Sequence, residues 1–288
     1  MKSVAVLAGA AVVGSYLGAL HPAGDSLAVF RVPLLILAAL ALIWTDWSRV
    51  VRWPLSALAL AVLGWHISAR MDPDAKGHDL VLYQQNLLFN RADNAEFLSL
   101  VAQSNPDVIT LQEVSPRNLP IMEALKASHP TQHRCTVANS WLGEAVLSRY
   151  PMVPGTAFCS QPDGLTGMQV MTPQGPLWVV SVHLNWPWPK GQAAQVDGIL
   201  PTLEALDGPI LMAGDFNAVA WSHTLKRMAR ASGTTRVGAQ VHSFDLSPIP
   251  FHLGIDHVLS TNPAPQRVIQ MPKAGSDHHG LLAYLVQP

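Results

Sequence analysis

The chain has 288 residues, of which 49% are hydrophobic and 13% are charged, and its formal net charge is −1. Because soluble domains usually contain roughly 25% charged residues, this composition favours an apolar membrane segment joined to one globular domain. From residue 71 onward, 13 Lys and Arg stand against 17 Asp and Glu, which gives a net charge of −4. Proteins that grip long nucleic acids usually present a basic face, so the charge argues against a processive nuclease.

The amino-terminal part of the chain contains three apolar segments, at residues 4–20, 27–44 and 53–69. Since a transmembrane helix needs about 20 apolar residues, we predict a membrane anchor of three transmembrane helices over residues 1–70. Tryptophans near the segment ends fit the aromatic belts of membrane interfaces. Two alternatives stay open: the first segment is a cleaved signal peptide, or the segments form a soluble helical domain, although they lack polar faces.

The charges of the short loops predict the orientation of this anchor. Lys2, Arg49 and Arg52 fall on one side of the three spans, whereas the other short loop contains no Lys or Arg. The positive-inside rule places these three residues in the cytoplasm. It therefore predicts a location in the cell (inner) membrane, with the carboxy-terminal domain outside the cytoplasm. Cys135 and Cys159 are then either two buried thiols or one disulfide, which needs an oxidising compartment.

The remaining chain divides into a linker and one domain. Residues 71–79 are polar and contain Pro and Gly, which predicts a linker, and residues 80–288 form the domain. Apolar runs and amphipathic stretches predict strands at 80–87, 108–114, 134–138, 145–148, 156–160, 168–171, 177–183, 209–213, 255–259, 268–271 and 281–286, and helices at 92–103, 119–128, 192–206 and 222–231. Many strands with few helices favour two packed β-sheets with helices outside them.

Polar residues follow several of these strands, where a rigid scaffold presents its chemistry. Asn86 and Glu113 come at the ends of the first two predicted strands. A carboxylate at the end of a buried strand is costly unless it is paired or bound to a metal, and oxygen ligands suit Mg²⁺. Taken alone, a salt-bridged or solvent-facing Glu113 is the simpler interpretation.

The segment LMAGDFN at residues 211–217 ends another buried strand with two polar residues. Asp215 can orient or deprotonate a water molecule, and Asn217 can donate hydrogen bonds to a phosphate oxygen. Gly-Asp and Asn also favour ordinary turns. His183 ends the strand before this one, and a lone His in that position is more often structural than catalytic.

A third group of polar residues lies near the end of the chain. Asp277 can ligate a hard cation, and a protonated His278 beside it can stabilise negative charge in a phosphoryl transition state. Asp256 can hold His278 in one tautomer and raise its pKa. The histidines lack the H-E-x-x-H spacing of a zinc site.

Together these segments resemble the endonuclease/exonuclease/phosphatase superfamily, which has the deoxyribonuclease I-like fold. The matching pieces are QN at 85–86, LQEV at 111–114, LSRYP at 147–151, SVHLN at 181–185, GDFN at 214–217, IDHVL at 255–259 and SDHH at 276–279. The resemblance implies an α/β fold, a four-layer sandwich of two packed mixed β-sheets flanked by helices, here preceded by three transmembrane helices. The predicted spans and the wording GDFNAVAWS are similar to a membrane-bound bacterial branch that includes teicoplanin-resistance membrane proteins.

The resemblance also implies a metal-dependent phosphoric ester hydrolase that uses Mg²⁺ or Mn²⁺. Glu113 matches the principal metal ligand, with Asn86 and Asp277 near the metal. Asp215 matches the residue that positions the attacking water. The residues that match contacts to the substrate phosphate are Asn86, Asn217 and His278.

Two further residues complete the set that the resemblance implies. Asp256 matches the carboxylate partner of His278, and His183 matches a candidate acid for the leaving group. A pairing of Glu144 with His183 is a separate hypothesis, drawn from the order of the motifs. A surface position for Glu144 is an equal alternative.

The sequence leaves the substrate class open. Trp186 and Trp188 can stack on a base, lie at the membrane interface beside a lipid phosphate, or simply pack under the sheet edge. The anchor and the mild negative charge favour a membrane-anchored phosphoesterase acting on a lipid-linked or envelope phosphoester. An extracytoplasmic nuclease is the alternative enzyme, with nucleic acid as the less favoured substrate. A catalytically inactive binding or scaffold protein is the alternative of another class, against which the retained acids, amides and histidines argue.

Overall fold

The computed structural model describes residues 1–71, 75, 77–91, 93–137, 141–246 and 251–287. Its helices are α1 (Lys2–Gly14), α2 (Ala23–Val29), α3 (Arg31–Ile43), α4 (Arg49–Ser68), α5 (Ala95–Ser104), α6 (Leu119–Leu125), α7 (Gln192–Glu204) and α8 (His223–Ala231). Its strands are β1 (Leu80–Asn86), β2 (Val108–Gln112), β3 (Thr131–Thr136), β4 (Gly143–Ser148), β5 (Phe158–Cys159), β6 (Leu165–Thr172), β7 (Gly175–His183), β8 (Ile210–Asp215), β9 (Thr235–Arg236), β10 (Phe244–Asp245), β11 (His252–Leu253), β12 (Asp256–Ser260), β13 (Arg267–Gln270) and β14 (Leu281–Leu285). The short strands β9, β10 and β11 escape prediction because two residues are too few to show a period.

Among the residues described, the strands form two large sheets and one small hairpin. The first sheet has the order β13-β14-β1-β2-β4-β3, the second has the order β5-β6-β7-β8-β12-β9, and β10 pairs with β11. β1 runs parallel to β2, and β7 runs parallel to β8, whereas their outer neighbours β14, β4, β6 and β12 are antiparallel to them. The prediction of two mixed sheets is therefore confirmed.

Three apolar clusters lie between the two sheets and on their outer faces, and two smaller clusters involve the amino-terminal helices. Leu82 of the first sheet and Val179 of the second belong to the cluster between the sheets. The next residue of β1, Tyr83, points to the opposite face, as the alternation of a strand requires, and packs with Phe97 of α5. Val196 of α7 lies in the cluster outside the second sheet. The layers are thus helix, sheet, sheet and helix, as predicted.

The strand register gathers the polar strand ends at one edge of the sandwich. His183 at the end of β7 lies opposite Asp215 at the end of β8, and Asp215 lies opposite Asp256 at the start of the antiparallel β12. In the first sheet, Asn86 at the end of β1 lies opposite Gln112, the last residue of β2. The two parallel pairs therefore end at a common edge, where polar groups from distant parts of the chain meet.

The amino-terminal region differs from the prediction of three transmembrane helices. α1 and α3 each have 13 residues, about 20 Å of helix, which is short of the ~30 Å hydrocarbon core of a bilayer. Among the described residues, α4 is long and apolar enough to span a membrane, and a second span arises if α2 and α3, which meet at 70°, count as one. α1 ends at Gly14, within the first predicted span, and the second predicted span is interrupted at Phe30, between α2 and α3. The three-span prediction is therefore not supported.

The structure also bears on the predictions for the two cysteines and for the linker. Cys135 of β3 and Cys159 of β5 form a disulfide that joins edge strands of the two sheets, so the two-thiol alternative is set aside. The predicted linker at 71–79 can be compared only in part, because residues 72–74 and 76 lie outside the described residues.

Candidate active site

A cleft of about 980 Å³ opens at the edge where the two parallel strand pairs end. Most of the predicted site residues line it, namely Glu113, Glu144, His183, Asp215, Asn217, Asp277 and His278. The remaining two, Asn86 and Asp256, are buried behind this wall and hydrogen-bond to it. The fold thus brings every predicted residue to one place.

Glu113, Asn86 and Asp215 form the oxygen-rich end of the cleft. The Nδ2 of Asn86 lies 3.2 Å from Glu113 Oε1 and 3.2 Å from Asp215 Oδ2. Two carboxylates therefore converge on one point, which would be unfavourable without a positive group between them. Glu113 also adopts a left-handed backbone conformation with φ 55°, and such strain in a non-glycine residue is typical of functional sites.

This donor set fits a hard divalent cation. Carboxylate oxygens are ligands that Mg²⁺ prefers, and Glu113 Oε2 is already oriented by the backbone N–H of Phe89 at 2.9 Å. Asn86 turns its Nδ2 toward the carboxylates, while its Oδ1 accepts a hydrogen bond from the backbone N–H of Leu88 at 3.1 Å, so ligation of the metal by Asn86 stays a prediction. Asp277 is exposed at the rim of the cleft, so a contact between Asp277 and the metal stays a prediction. A second group, Asp215 with Asp256 and His278, also has metal-ligand spacing.

We interpret this second group as a buried ion pair rather than a metal cage. Asp256 Oδ2 contacts His278 Nδ1 at 2.8 Å, and Asp256 Oδ1 accepts a hydrogen bond from Gln84 Nε2 at 2.8 Å. Both oxygens of Asp256 are thereby occupied. Burial tends to lower the pKa of His278, but the charges of Asp256 and Asp215 overcome it and raise this pKa to about 10. A protonated, immobile imidazole is suited to holding a phosphate oxygen.

Asp215 lies between the two histidines of the cleft. Its Oδ2 is 3.7 Å from His278 Nε2 and 3.9 Å from His183 Nε2. Burial raises the pKa of Asp215 to about 6, with the nearby charge of His278 opposing the shift. A carboxylate whose pKa lies close to neutrality can accept a proton from water and still be ionised in the resting enzyme.

His183 contacts the carboxylate that the order of the motifs suggested. Its Nδ1 lies 3.6 Å from Glu144 Oε1, and the Glu144 side chain is buried. Burial tends to lower the pKa of His183, but Glu144 and Asp215 overcome it and raise this pKa to about 9. The surface position considered for Glu144 is therefore wrong, and His183 is protonated at neutral pH.

Asn217 differs in part from its predicted role as a phosphate donor. Its backbone N–H donates to Asp215 Oδ1 at 2.8 Å, and its Nδ2 donates to Leu184 O at 2.8 Å and weakly to Asp215 Oδ2 at 3.4 Å. Both amide hydrogens are engaged, so donation to a phosphate requires Asn217 to give up the weaker contact. Its Oδ1 is buried and without a hydrogen-bond partner among the described residues. The immediate effect of Asn217 is to hold Asp215.

Sequence reasoning missed the buried amides that support these side chains. Gln84 donates to both Asp256 and Gln112, and Gln112 in turn donates to the hydroxyl of Ser181 at 2.8 Å. This chain links the first sheet to the second directly beneath the cleft. The hydroxyl oxygen of Ser243 accepts a hydrogen bond from the backbone N–H of Asp256 at 3.0 Å. The available signal was two glutamines inside strands whose other residues are buried and apolar.

The fold and the site define a phosphoester hydrolase, and comparison with known proteins agrees. The model of the Endonuclease/Exonuclease/phosphatase family matches residues 83–278. The chain belongs to this family, which confirms the family resemblance and the prediction of a hydrolase acting on phosphoesters. None of the curated proteins compared matches the chain.

Several solved structures share the fold at low sequence identity. An endonuclease/exonuclease/phosphatase from Beutenbergia cavernae is 20% identical, with a TM-score of 0.58, over 73% of this chain and 72% of that one. The D. rerio TDP2 complexed with a single-strand DNA product is 18% identical, with a TM-score of 0.55, over 71% and 97%. A mutant beta toxin from Staphylococcus aureus with bound magnesium ions is 15% identical, with a TM-score of 0.52, over 72% and 99%. At these identities the likeness shows the fold alone.

Proposed function

We propose that the chain is a membrane-anchored, metal-dependent phosphoesterase whose favoured substrate is a lipid-linked or envelope phosphoester. The observation that carries the proposal is the position of Asp215. On one side its carboxylate accepts a hydrogen bond from Asn86, beside the predicted metal ligand Glu113, and on the other it faces the imidazoles of His183 and His278. In-line hydrolysis of a phosphoester uses a general base for the water, a cation that neutralises phosphate charge, and protonated side chains that bind the phosphate and protonate the leaving oxygen.

Each side chain has one step in the proposed reaction. Asp215 aligns a water molecule and accepts its proton as the water oxygen bonds to phosphorus and the ester P–O bond breaks. His278 holds the equatorial phosphate oxygens together with Asn217, which gives up its weaker contact with Asp215 to do so, while protonated His183, supported by Glu144, donates its proton to the leaving oxygen. A divalent cation held by Glu113 and Asn86 would neutralise phosphate charge. Magnesium ions bound to the beta toxin structure support Mg²⁺ as the first ion to test, with Mn²⁺ as the alternative.

The surroundings of the cleft support a lipid substrate. Phe244 lies with its ring 4.8 Å from that of His278, and Trp186 lies 5.7 Å from Phe244. Trp186 and Trp188 are 39% and 51% exposed, and the ring of Trp188 contacts His21 of the amino-terminal region. Phe244 and Trp186 therefore lie beside His278, and Trp188, two residues further along, lies beside the amino-terminal region; these rings can support a hydrocarbon chain.

A membrane location with an external catalytic domain is part of the proposal. The span candidate α4 begins with Arg49 and Arg52, which favour the cytoplasmic side. Lys2 pairs with Asp46 at 2.9 Å at that same end of the helical bundle. The Cys135–Cys159 disulfide supports an oxidising compartment for the domain.

An extracytoplasmic nuclease is the second candidate. The observation that favours it is the exposure of Trp186 at the cleft, where a base could stack on it. The TDP2 structure with a single-strand DNA product has the same fold. The net charge of −4 from residue 71 onward argues against it.

The test is a substrate panel on the full chain in lipid nanodiscs with Mg²⁺. It compares release of headgroup or phosphate from phospholipid and polyprenyl phosphoester vesicles with cleavage of single-stranded and plasmid DNA. We expect lipid turnover that EDTA abolishes and little DNA cleavage. DNA cleavage without lipid turnover would establish the nuclease, and the absence of every activity would leave the binding or scaffold protein.

A further inference from the structure

The amino-terminal helical segment, which comprises α1 to α4 (Lys2 to Ser68), is hydrogen-bonded to the catalytic domain through Asp25 of α2. This carboxylate is 6% exposed, and its two oxygens accept hydrogen bonds from the backbone N–H groups of His223 and Thr224, at 2.7 and 2.8 Å. These groups belong to the first turn of α8, whose N–H groups have no partner within the helix. Asp25 therefore caps a helix of the catalytic domain from a distant part of the chain.

The backbone around Asp25 is closely packed. A Cβ on Gly24 would lie 2.3 Å from the backbone nitrogen of Gly18, and a Cβ on Gly18 would lie 2.5 Å from Asp25 Oδ1. Only residues without a side chain allow such an approach. The close approach of α2 to the turn at Gly18 thus places the carboxylate of Asp25 beside α8.

From α8 the hydrogen bonds continue to the active-site loop. The hydroxyl of Thr224 donates to Gln192 Oε1 at 3.1 Å. Gln192 Nε2 in turn lies 3.1 Å from the carbonyl oxygen of Asn217, 3.1 Å from that of Phe216 and 2.6 Å from that of Asn185. Thr224, Gln192 and Asn217 are all buried, so water does not compete for these contacts.

The last link reaches Asp215, the general base of the proposed reaction. Asn217 has a left-handed backbone conformation with φ 46°, and its N–H donates to Asp215 Oδ1 at 2.8 Å. A strained non-glycine residue keeps its conformation only where its surroundings hold it. Gln192 supplies that hold, because its amide contacts the Asn217 carbonyl.

A second contact ties the same loop to the amino-terminal segment. Trp221, which lies between Asn217 and α8, donates its Nε1–H to the carbonyl oxygen of Ala28 at 2.8 Å. Its ring lies 4.2 Å from that of His66 near the end of α4. α2 and the end of α4 therefore both contact the loop that follows β8.

We propose that the amino-terminal segment is a structural part of the active site, and that Asp25, Thr224 and Gln192 are positioning residues for Asn217 and Asp215. The rate of turnover then depends on the contact between the amino-terminal helical segment and α8. The inference rests on the proposed phosphoesterase function. Because a small displacement of a catalytic group can cost about 100-fold in rate, breaking the chain should lower kcat more than it raises KM.

The test uses the full chain with Mg²⁺ and a soluble diester, bis(p-nitrophenyl) phosphate. Thr224→Val removes the link between Asp25 and Gln192 while keeping shape, and we expect kcat to fall roughly 10-fold with KM within about twofold. Thr224→Ser keeps the hydroxyl and should restore kcat. The matched control is Thr234→Val, since Thr234 is also buried and its hydroxyl contacts Ser232 at the other end of α8.

A second measurement does not depend on activity. Hydrogen exchange of the peptide that contains Phe216 and Asn217 should accelerate in Asp25→Leu and Thr224→Val but not in Thr234→Val. If Thr224→Val matches Thr234→Val in both kcat and exchange, the positioning chain is refuted. If the wild type has no activity but the exchange pattern appears, the proposed function fails and the docking of the segment stands.

Discussion

The two histidines of the cleft face the same oxygen of Asp215 but stand in different surroundings. The His278 side chain is 5% exposed and contacts Asp256 at 2.8 Å, whereas the His183 side chain is 21% exposed and contacts Glu144 at 3.6 Å. Buried amide and hydroxyl groups fix Asp256 in turn. The His278 side of the cleft thus holds a charged imidazole in a fixed position, whereas the His183 side leaves its imidazole free to exchange a proton with solvent.

This difference teaches that the two imidazoles are not interchangeable. A fixed cation stabilises charge that develops on the phosphate without reorganisation. A looser imidazole that opens to solvent can deliver a proton and be reprotonated. Variants on the His278 side should therefore lower both the stability and the rate, whereas variants on the His183 side should change the pH dependence of the rate.

The largest effect is expected at Asp215, which both sides share. Asp215→Asn should lower kcat roughly 10²–10⁴-fold, the range for loss of a general base. The folded-state pKa of Asp215 is raised to about 6, so its ionised form costs stability, fully so above pH 6. The variant should therefore have an unchanged or higher Tm at pH 8. A lower Tm in step with the lost rate would contradict the assignment.

The next effect is expected on the fixed side. His278→Gln should lower kcat about 100-fold and cost about 3–5 kcal/mol of unfolding free energy, because it leaves the charge of Asp256 buried and unpaired. Adding Asp256→Asn should recover much of the stability and none of the rate. Urea unfolding and diester kinetics on the two variants measure both quantities. Recovery of the rate in the double variant would mean that His278 has no contact with the phosphate.

A smaller effect is expected on the proton-exchanging side. His183 must be protonated to act as an acid, so activity should fall as pH rises through about 9, its raised pKa. Glu144→Gln removes a group that raises this pKa, and the alkaline limb of the kcat profile should move to lower pH by about one unit. The control is Glu123→Gln, an exposed Glu paired with Lys126. An alkaline limb that stays in place would leave Glu144 without a catalytic effect.

The smallest effect on the catalytic rate is expected from removing the disulfide. Cys135 lies opposite Glu144 in the β3–β4 register, so Cys135→Ser with Cys159→Ser should loosen the strand that carries Glu144. Loss of a disulfide of this loop length costs about 2–4 kcal/mol of stability, while we expect kcat to change less than about threefold. Thermal unfolding and the kinetics of diester hydrolysis test both statements.

The sequence predicts the catalytic edge well for a physical reason. Asp215, Glu113 and His183 each follow an apolar run, and strand ends that meet at one edge turn a linear pattern into a cluster. The family resemblance added which group does which step. Glu144 was harder, because it precedes its apolar run instead of following it and its partner lies on another sheet.

The parts that escaped prediction depend on contacts between distant residues of ordinary type. Thr224 and Gln192 belong to no motif, and only the packing of α7 on α8 brings them together. Asp25 looks like a loop residue between apolar segments, whereas the fold makes it a helix cap. The three-span prediction is not supported because apolar content alone does not show where a helix ends, here at Gly14 and at Phe30.

The most direct test of the central claim is the rate of bis(p-nitrophenyl) phosphate hydrolysis by the purified full chain, with Mg²⁺ and with EDTA, beside the Asp215→Asn variant. We predict hydrolysis by the wild type that EDTA abolishes and that the variant loses at least 100-fold, while both proteins keep the same Tm within a few degrees. Hydrolysis that persists in EDTA, or an Asp215→Asn variant as active as the wild type, would contradict a metal-dependent phosphoesterase built around Asp215.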